Sequence, residues 1–355
     1  MVIAMFIKAN FHKFTAALLS LAIVIVCIML LIFSKECADG AFSGIEMCIN
    51  VLIPSLFPFM AVSSFTVKSG ISDFLGKPFG KIMKSIFGLS PCFAPILLLS
   101  VTGGYPIGAK SCNELYKNGN VGTEECKRAS MFMVCAGPGF LVSFIGMSIY
   151  NDKKIGIIML CSQILSVLIT GIANRIINRG KIFVTAKESN KSKLSLTKSL
   201  VEAVYDASKG MFSICSFVIA FSAVAGILST VLDDGFVKTA VEVCTGVKTA
   251  SSELPVWAVA FVAGFGGICV HFQIFSVLGN LKINKLIFFC YRIIQGILTA
   301  LFTYIGMLIF YDTKSVFSVG TVSGSSVYGG TAFSGIALTA LMICFLFLLK
   351  NYRNN

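Results

Sequence analysis

Glu242 is the first candidate for chemistry, because this acid lies among apolar residues at helical spacing. Those apolar positions are Phe236, Val237, Ala240, Val241, Cys244 and Val247, and Thr245 and Gly246 follow the acid. If this helix borders a cavity at membrane depth, where an ionisable residue is functional by default, its carboxylate can accept hydrogen bonds from ligand hydroxyls or carry a coupling proton. The alternatives are a pair with Lys238 one turn back, or exposure to solvent.

His271 and Gln273 form a second pair of candidates, just after a glycine-rich stretch. An imidazole titrates near neutral pH, which suits proton coupling. Both side chains offer hydrogen-bond donors and acceptors. A single histidine can equally be a packed structural residue, so both interpretations are open on sequence alone.

Two apolar runs are interrupted by glycine. One reads LLLSVTGGYPIG from Leu97 to Gly108, and the other reads VAFVAGFGGICV from Val259 to Val270. The breaks involve Gly103, Gly104, Tyr105, Pro106 and Gly108 in the first run and Gly266 and Gly267 in the second. Such interruptions can expose backbone N–H groups and a helix N-terminus, which favour a polar or anionic ligand group. The alternative is close packing of helices.

A third interruption occurs at Gly137-Pro138-Gly139. It is either a kink packed between helices or a further stretch of backbone that faces the cavity expected at the other two interruptions. Short segments broken at corresponding places in two halves of a membrane protein point to a transporter's binding site.

The composition indicates a membrane protein. The chain has 355 residues, of which 56% are apolar and 13% charged, whereas soluble domains carry about 25% charged residues. The formal net charge of +13 comes from basic residues in short loops, as expected for cytosolic loops. We therefore expect the lipid bilayer as the partner, and no nucleic acid.

The cysteine pattern indicates neither a metal site nor a disulfide scaffold. None of the 13 cysteines forms a C-x-x-C pair, and several lie inside apolar runs, where cysteine acts as a small hydrophobe. H-E-x-x-H, G-x-S-x-G and Walker motifs are absent from the sequence. We predict no catalytic residues, no cofactor and no metal, and this excludes an ATP-driven pump built from one chain.

The charges predict the topology. A cluster of seven cations faces one acid, Glu188; it comprises Arg175, Arg179, Lys181, Lys187, Lys191, Lys193 and Lys198. This linker is predicted to be cytosolic, as is the N-terminus before the first span, Phe14 to Phe33. Lys35, Glu36 and Asp39 are expected in an outer loop, and Asn113 and Glu114 in a solvated loop.

We predict an all-α polytopic membrane protein built as an inverted repeat of span, re-entrant hairpin, span and span. The hairpins are expected at about Phe87 to Cys112 and Pro255 to Asn280, entering from opposite sides. The predicted units are an N-terminal span over 1–40, a first repeat over 41–178, a basic linker over 179–200 and a second repeat over 201–355, which includes a last span from Ile336 to Leu349.

Several of these motifs resemble one known family. Gly104 to Ala109 and Ala136-Gly137-Pro138 in the first half, with Glu242 to Gly246 and Phe265 to Gln273 in the second, resemble the YlbJ-like sporulation integral membrane proteins. That family carries the nucleoside-recognition Gate domain, which is similar to concentrative nucleoside transporters. The resemblance implies a multi-pass protein of the bacterial cell membrane, required for spore formation around the cortex.

Two functions follow as hypotheses. The first is a secondary transporter or permease for a small polar solute, with a nucleoside as the solute that the resemblance implies, a coupling ion (H⁺ or Na⁺) and self-association into a homo-oligomer. The alternative is a membrane scaffold for spore-envelope assembly that transports nothing. An intramembrane enzyme would rest on His271 and Glu242 alone.

Overall fold

The computed structural model describes residues 20, 21, 23–119, 121–178, 195–231 and 243–311. These residues form helices and contain no β-strand. The helices of the first half are α1 Ile23–Ile32, α2 Ser34–Met47, α3 Ile53–Lys68, α4 Ile71–Gly76, α5 Gly80–Ile82, α6 Phe93–Gly103, α7 Tyr105–Asn118, α8 Thr123–Phe132 and α9 Lys153–Ile177. Those of the second half are α10 Leu196–Val231, α11 Val243–Glu253, α12 Val256–Phe265, α13 Gly267–Leu278 and α14 Lys285–Phe310.

Five described stretches are long and apolar enough to cross a membrane. They are Ser34–Lys68, Lys153–Ile177, Leu196–Thr230, Val256–Leu278 and Lys285–Phe310. The expected all-helical fold is therefore confirmed. Four expected features lie outside the described residues: the first residues of the N-terminal span, the basic linker over 179–194, Glu242 and the last span.

Helix α14 shows which surface meets lipid. Its buried face carries Arg292, Gln295, Thr299 and Thr303, each with no exposed surface, whereas Ile294, Ile297 and Leu301 on the other face are about half exposed. Polar groups inside and apolar groups outside are the arrangement that a bilayer requires, because hydrocarbon cannot satisfy hydrogen bonds.

Helix α2 packs closely against α10 through small residues. A Cβ atom at Gly40 would lie 2.5 Å from the carbonyl oxygen of Ser222, and one at Gly226 would lie 2.4 Å from that of Glu36. The expectation that Lys35, Glu36 and Asp39 form a loop is wrong, because they belong to α2. Their charge suggested a loop, but the glycine contacts with α10 hold this stretch as helix.

This contact predicts a clear stability effect. Gly40→Leu should lower the free energy of unfolding by about 1–3 kcal/mol, because the added side chain meets the α10 backbone. Thermal unfolding of the purified protein in detergent measures it. Ala38→Leu, at an exposed position of the same helix, is the control. Equal melting temperatures for the two variants would contradict the packing described here.

The first glycine break reverses the chain. Helix α6 ends at Gly103, Gly104 has φ +100° and ψ −176°, and α7 begins at Tyr105, a backbone conformation that only glycine adopts readily. A Cβ at Gly108 would lie 2.7 Å from Oγ of Ser100, so α7 folds back beside α6. The predicted solvated loop at Asn113 and Glu114 is wrong, since both are buried in α7.

The second glycine break kinks the chain without reversing it. Before the break, Gly264 packs on Gly296 of α14. After it, His271 stacks on Phe289, and Phe275 contacts Phe288. Residue numbers therefore rise along α12 and α13 while those of their contact partners in α14 fall. Both helices run antiparallel to α14, and they form one interrupted span. The prediction of a re-entrant hairpin at about Pro255 to Asn280 is therefore corrected, because the structure has one kinked span there.

The order of elements places the two breaks differently within each half. In the first half, α8 leads through Gly137 into a π-helix over Gly139–Ile149, and then into the long helix α9. In the second half, α12 leads through Gly266 into α13, and then into the long helix α14. The equivalence of the Gly104 and Gly266 breaks in the two halves stays a prediction. The opposite orientation of the two repeats, and the unit boundaries, stay predictions.

Candidate functional site

The breaks at Gly104 and Gly137 line one cavity of about 140 Å³, and the helix after the break at Gly266 adds Val270 and Gln273 to its wall. Its wall is mainly apolar, with polar groups from Ser55, Thr102, Tyr105 and Gln273. The lining residues are Val51, Leu52, Pro54, Ser55, Leu56, Phe59, Thr102, Gly103, Gly104, Tyr105, Pro106, Gly137, Gly139, Phe140, Val218, Val243, Cys244, Val270 and Gln273. An apolar wall with a few placed polar groups is typical of a small-molecule site.

Two of the breaks touch directly through their backbones. A Cβ at Gly137 would lie 3.0 Å from the backbone nitrogen of Gly104, and a Cβ at Gly104 would lie 3.3 Å from the nitrogen of Gly137. Any side chain at either position would push these segments apart. The two glycines thus let irregular backbone from α6–α7 and from the segment after α8 meet at the cavity wall.

Tyr105 joins the first half of the chain to the second. Its hydroxyl donates a hydrogen bond to the carbonyl oxygen of Ala263, and its ring lies 3.3 Å from where a Cβ of Gly266 would be. The ring also packs edge-on against Phe140, with ring centroids 6.3 Å apart. The convergence of both glycine clusters, predicted from their positions in the chain, is therefore present in the fold.

Helices start beside this cavity. Helix α7 begins at Tyr105, and the π-helix begins at Gly139, both on the lining. The positive end of each helix dipole lies here. Pro106 has no N–H, and the N–H groups of Ile107, Phe140 and Leu141 already donate to the carbonyls of Gly104 and Gly137, so the dipoles are what these termini offer a ligand. These two termini can therefore hold a polar or negatively charged group of a ligand.

The predicted site residues divide into three groups. Gly103, Gly104, Tyr105, Pro106, Gly137 and Gln273 line the cavity. Gly108, Pro138, Gly246, Gly266, Gly267 and His271 are outside its lining. Glu242 and the side chain of Thr245 lie outside the described residues.

His271 occupies an aromatic cluster. It is buried, stacks on Phe289 at a centroid distance of 4.6 Å, and contacts Phe265 and Phe288. Its Nδ1 meets the carbonyl oxygen of Gly267 one turn back. This placement fits the structural alternative considered above. Gln273 does line the cavity, and its Nε2 donates to Sγ of Cys269 at 3.2 Å.

Side chains distant in sequence satisfy the carbonyl groups of the break after α8. Gln295 Nε2 donates to the Phe132 carbonyl at 2.9 Å, and Ser100 Oγ donates to that of Met133 at 2.8 Å. Arg292 Nη1 donates to the Val134 carbonyl at 2.6 Å. Three consecutive carbonyls thus have partners, and buried irregular backbone in a membrane protein requires such partners.

The side chains that donate to these three carbonyls were not predicted from the sequence. Arg292 lies in an apolar run, and a charge at membrane depth was the available signal. The wall formed by Ser55, Leu56 and Phe59 of α3 was not predicted either. Pro54 and Pro58 could have indicated this part of the wall, because a proline removes a helical hydrogen bond and leaves a backbone carbonyl that needs another partner.

The loop that enters the α6–α7 hairpin is fastened by two charged residues of α8. The Glu125 carboxylate accepts hydrogen bonds from the backbone and the hydroxyl of Ser90. Arg128 donates to the carbonyl of Phe87 at 3.2 Å and to Oδ1 of Asn174 at 3.1 Å. Burial raises the pKa of Glu125 above its usual value, while the Ser90 hydrogen bonds and the Arg128 charge act in the opposite direction.

This pKa shift predicts a pH dependence. Because Glu125 holds its proton to higher pH in the folded chain than in the unfolded one, its contribution to stability falls as pH rises above about 4.3. We expect the melting temperature of Glu125→Gln to change less as pH rises from 4 to 7 than that of the wild type. Glu124→Gln, which alters an exposed neighbour, should keep the wild-type dependence; identical pH profiles for the two variants would contradict this.

Membrane-length helices with polar interiors and apolar outer faces define the class: an all-α polytopic integral membrane protein. The chain is 23% identical to "Sporulation integral membrane protein YlbJ" of Bacillus subtilis (strain 168), in an alignment that covers 74% of this chain and 76% of that protein. The resemblance to YlbJ-like proteins is thereby confirmed. No family model matches the chain, so the Gate domain stays a prediction. No solved structure matches it either.

Proposed function

We propose that this chain acts in sporulation as a transporter or permease of the bacterial cell membrane, and that it moves a small polar solute through the cavity at the three breaks. The observation that carries the proposal is the contact of Gly104 with Gly137 at the wall of one cavity, where Tyr105 of the same wall also touches Gly266. A role in sporulation is supported by the similarity to a protein named for it.

The breaks in the helices have a cost in free energy. Interrupting helices inside a membrane leaves polar backbone that must be satisfied, and here Arg292, Gln295 and Ser100 are used to satisfy it. A scaffold gains nothing from such breaks, because unbroken helices pack without this cost. A transporter uses them to bring helix termini and backbone polar groups to a solute near mid-membrane.

The size of the cavity bears on the solute. Its volume of about 140 Å³ is below the roughly 300–1,000 Å³ of common ligand sites. A nucleoside, the solute implied by the family resemblance, therefore requires the halves to separate at the Tyr105 contact. Such relative motion of two repeats around a central site is how many secondary transporters work. A coupling ion and a homo-oligomer belong to the same proposal.

Uptake by proteoliposomes tests the function. The full-length chain would be reconstituted and offered labelled nucleosides, nucleobases and other small polar metabolites, with protein-free liposomes as the blank. We expect saturable uptake of at least one class. Gln273→Leu should raise KM about tenfold or more by removing a polar contact from the wall, while Gln163→Leu, buried but away from the cavity, should keep the wild-type KM.

The scaffold alternative predicts other results. Under it, no solute enters above the blank, and variants of the cavity wall sporulate normally when they fold. A Gln273→Leu strain that forms spores at the wild-type level, together with no uptake of any compound, would overturn the transport proposal.

A further inference from the structure

A second and larger cavity lies apart from the breaks, between α7, α10 and α13. Its volume is about 290 Å³, and most of the residues that line it are of polar or charged types. The lining residues are Lys68, Lys110, Asn113, Glu114, Lys117, Asn118, Asp206, Lys209, Gly210, Ser213, Ser276 and Val277. It shares no residue with the first cavity.

The two acids that line this cavity are already neutralised. The Lys110 ammonium lies 2.6 Å from the Glu114 carboxylate, and that of Lys68 lies 2.8 Å from Asp206. Ser64 donates to the same Glu114 oxygen at 2.7 Å, so this pair is hydrogen-bonded as well as buried. Buried charges persist in a membrane protein when they are paired in this way.

Two further lysines have no acid partner within the described residues. Neither Lys117 nor Lys209 lies within 4.0 Å of a carboxylate there, and Lys209 instead lies over the ring of Tyr205, 4.3 Å from its centre. Glu202 adds a third acid nearby, 3.5 Å from Lys68. Four lysines against three acids still leave the cavity with a positive surplus.

Neutral hydrogen-bonding groups complete the wall. Asn113 donates from Nδ2 to the carbonyl oxygen of Val277 at 2.9 Å, which fixes α7 to α13. The hydroxyls of Ser213 and Ser276 lie 2.8 Å apart. Oδ1 of Asn113 and Oε2 of Glu114 have no hydrogen-bond partner in the described part of the chain, and both atoms are buried behind the cavity surface.

We propose that this cavity binds a phosphate group between Lys117 and Lys209, either on a soluble phosphorylated compound or on a phospholipid headgroup. Lysine ammonium groups bind phosphate as point charges, and two ammonium groups without an acid partner among the described residues match the roughly two negative charges of a phosphate group at neutral pH. The hydroxyls of Ser213 and Ser276 suit a ligand that carries hydroxyl groups beside its phosphate.

Thermal unfolding in nanodiscs tests the site without requiring transport, so its outcome is separate from that of the proposed function. The full-length chain in phosphatidylcholine nanodiscs is titrated with inorganic phosphate at constant ionic strength. In a second arm, nanodiscs of increasing phosphatidylglycerol content are compared without added phosphate. Ligand binding raises the melting temperature in a saturable way, and the arm that responds identifies the source of the phosphate.

The double variant Lys117→Gln/Lys209→Gln should raise the half-saturating concentration at least about tenfold, since each lysine supplies a charge-assisted hydrogen bond. Both side chains are exposed at the rim, so the variant should fold. Lys153→Gln/Lys154→Gln removes the same charge from another exposed site and should bind as the wild type does. Absence of saturable stabilisation in both arms, or equal weakening by the two double variants, would overturn the proposal.

Discussion

Gly137→Ala is expected to destabilise the protein by about 2–3 kcal/mol, a large cost for one methyl group. The Cβ would lie 3.0 Å from the Gly104 nitrogen and 3.1 Å from the Gly103 carbonyl carbon, and both are backbone atoms that cannot rotate away. Overpacking of this kind typically costs about 1–3 kcal/mol. Thermal unfolding of the purified protein measures the effect, and uptake assays measure its consequence for transport.

Two other glycines separate contact from backbone strain. Gly70 has φ +75°, and no atom of the described residues lies within 4 Å of its Cβ position. Gly70→Ala therefore reports backbone strain alone, roughly 1–2 kcal/mol. Gly104, with φ +100°, combines strain with a Cβ position 3.3 Å from Gly137, so Gly104→Ala should cost more than Gly70→Ala. If Gly137→Ala were as stable as the wild type, the two breaks would not touch as described.

Gln295→Leu is the second substitution with a large expected effect. Its Nε2 donates to the Phe132 carbonyl at 2.9 Å and to Oγ1 of Thr170 at 2.8 Å. Leucine would leave the carbonyl buried and without this donor, at a cost of about 1–3 kcal/mol. We expect a lower melting temperature and a larger loss of uptake than the stability change explains, because the segment next to Gly137 loses its support.

Gln163→Leu is the matched control for this substitution. Gln163 is equally buried but makes one long contact, 3.4 Å from Oγ1 of Thr299. Its replacement should cost less than about 1 kcal/mol. Equal losses in the two variants would mean that burial of an amide, and not support of the break, sets the cost.

The glycine clusters carried most of what the sequence could predict about the site. Residues around Gly104 and Gly137 were expected at a shared cavity, and they line one. An interruption of an apolar run can be recognised in the sequence itself, without knowing which helices pack against that run. Whether an interruption reverses the chain is not visible. Gly104 turns α7 back beside α6, whereas Gly266 only kinks a span, and the difference depends on contacts with other helices.

The support of the breaks could not be predicted for the same reason. Arg292 and Gln295 are more than 150 positions from the carbonyls that they satisfy, and no local pattern links them. Glu114 was assigned to a solvated loop because charges surround it in the sequence. Its burial depends on Lys110 one turn earlier and on Ser64 of α3. A charged stretch therefore indicates exposure only where no partner is within reach.

Photocrosslinking from position 105 tests most directly whether the two halves meet at the cavity. The tyrosine is replaced by p-benzoylphenylalanine, whose reactive carbonyl lies where the hydroxyl of Tyr105 meets Ala263. After irradiation of intact membranes, the crosslinked peptides are identified by mass spectrometry. We expect crosslinks to residues 262–266 of the second half. Crosslinks confined to lipid, or to the first half of the chain, would contradict it.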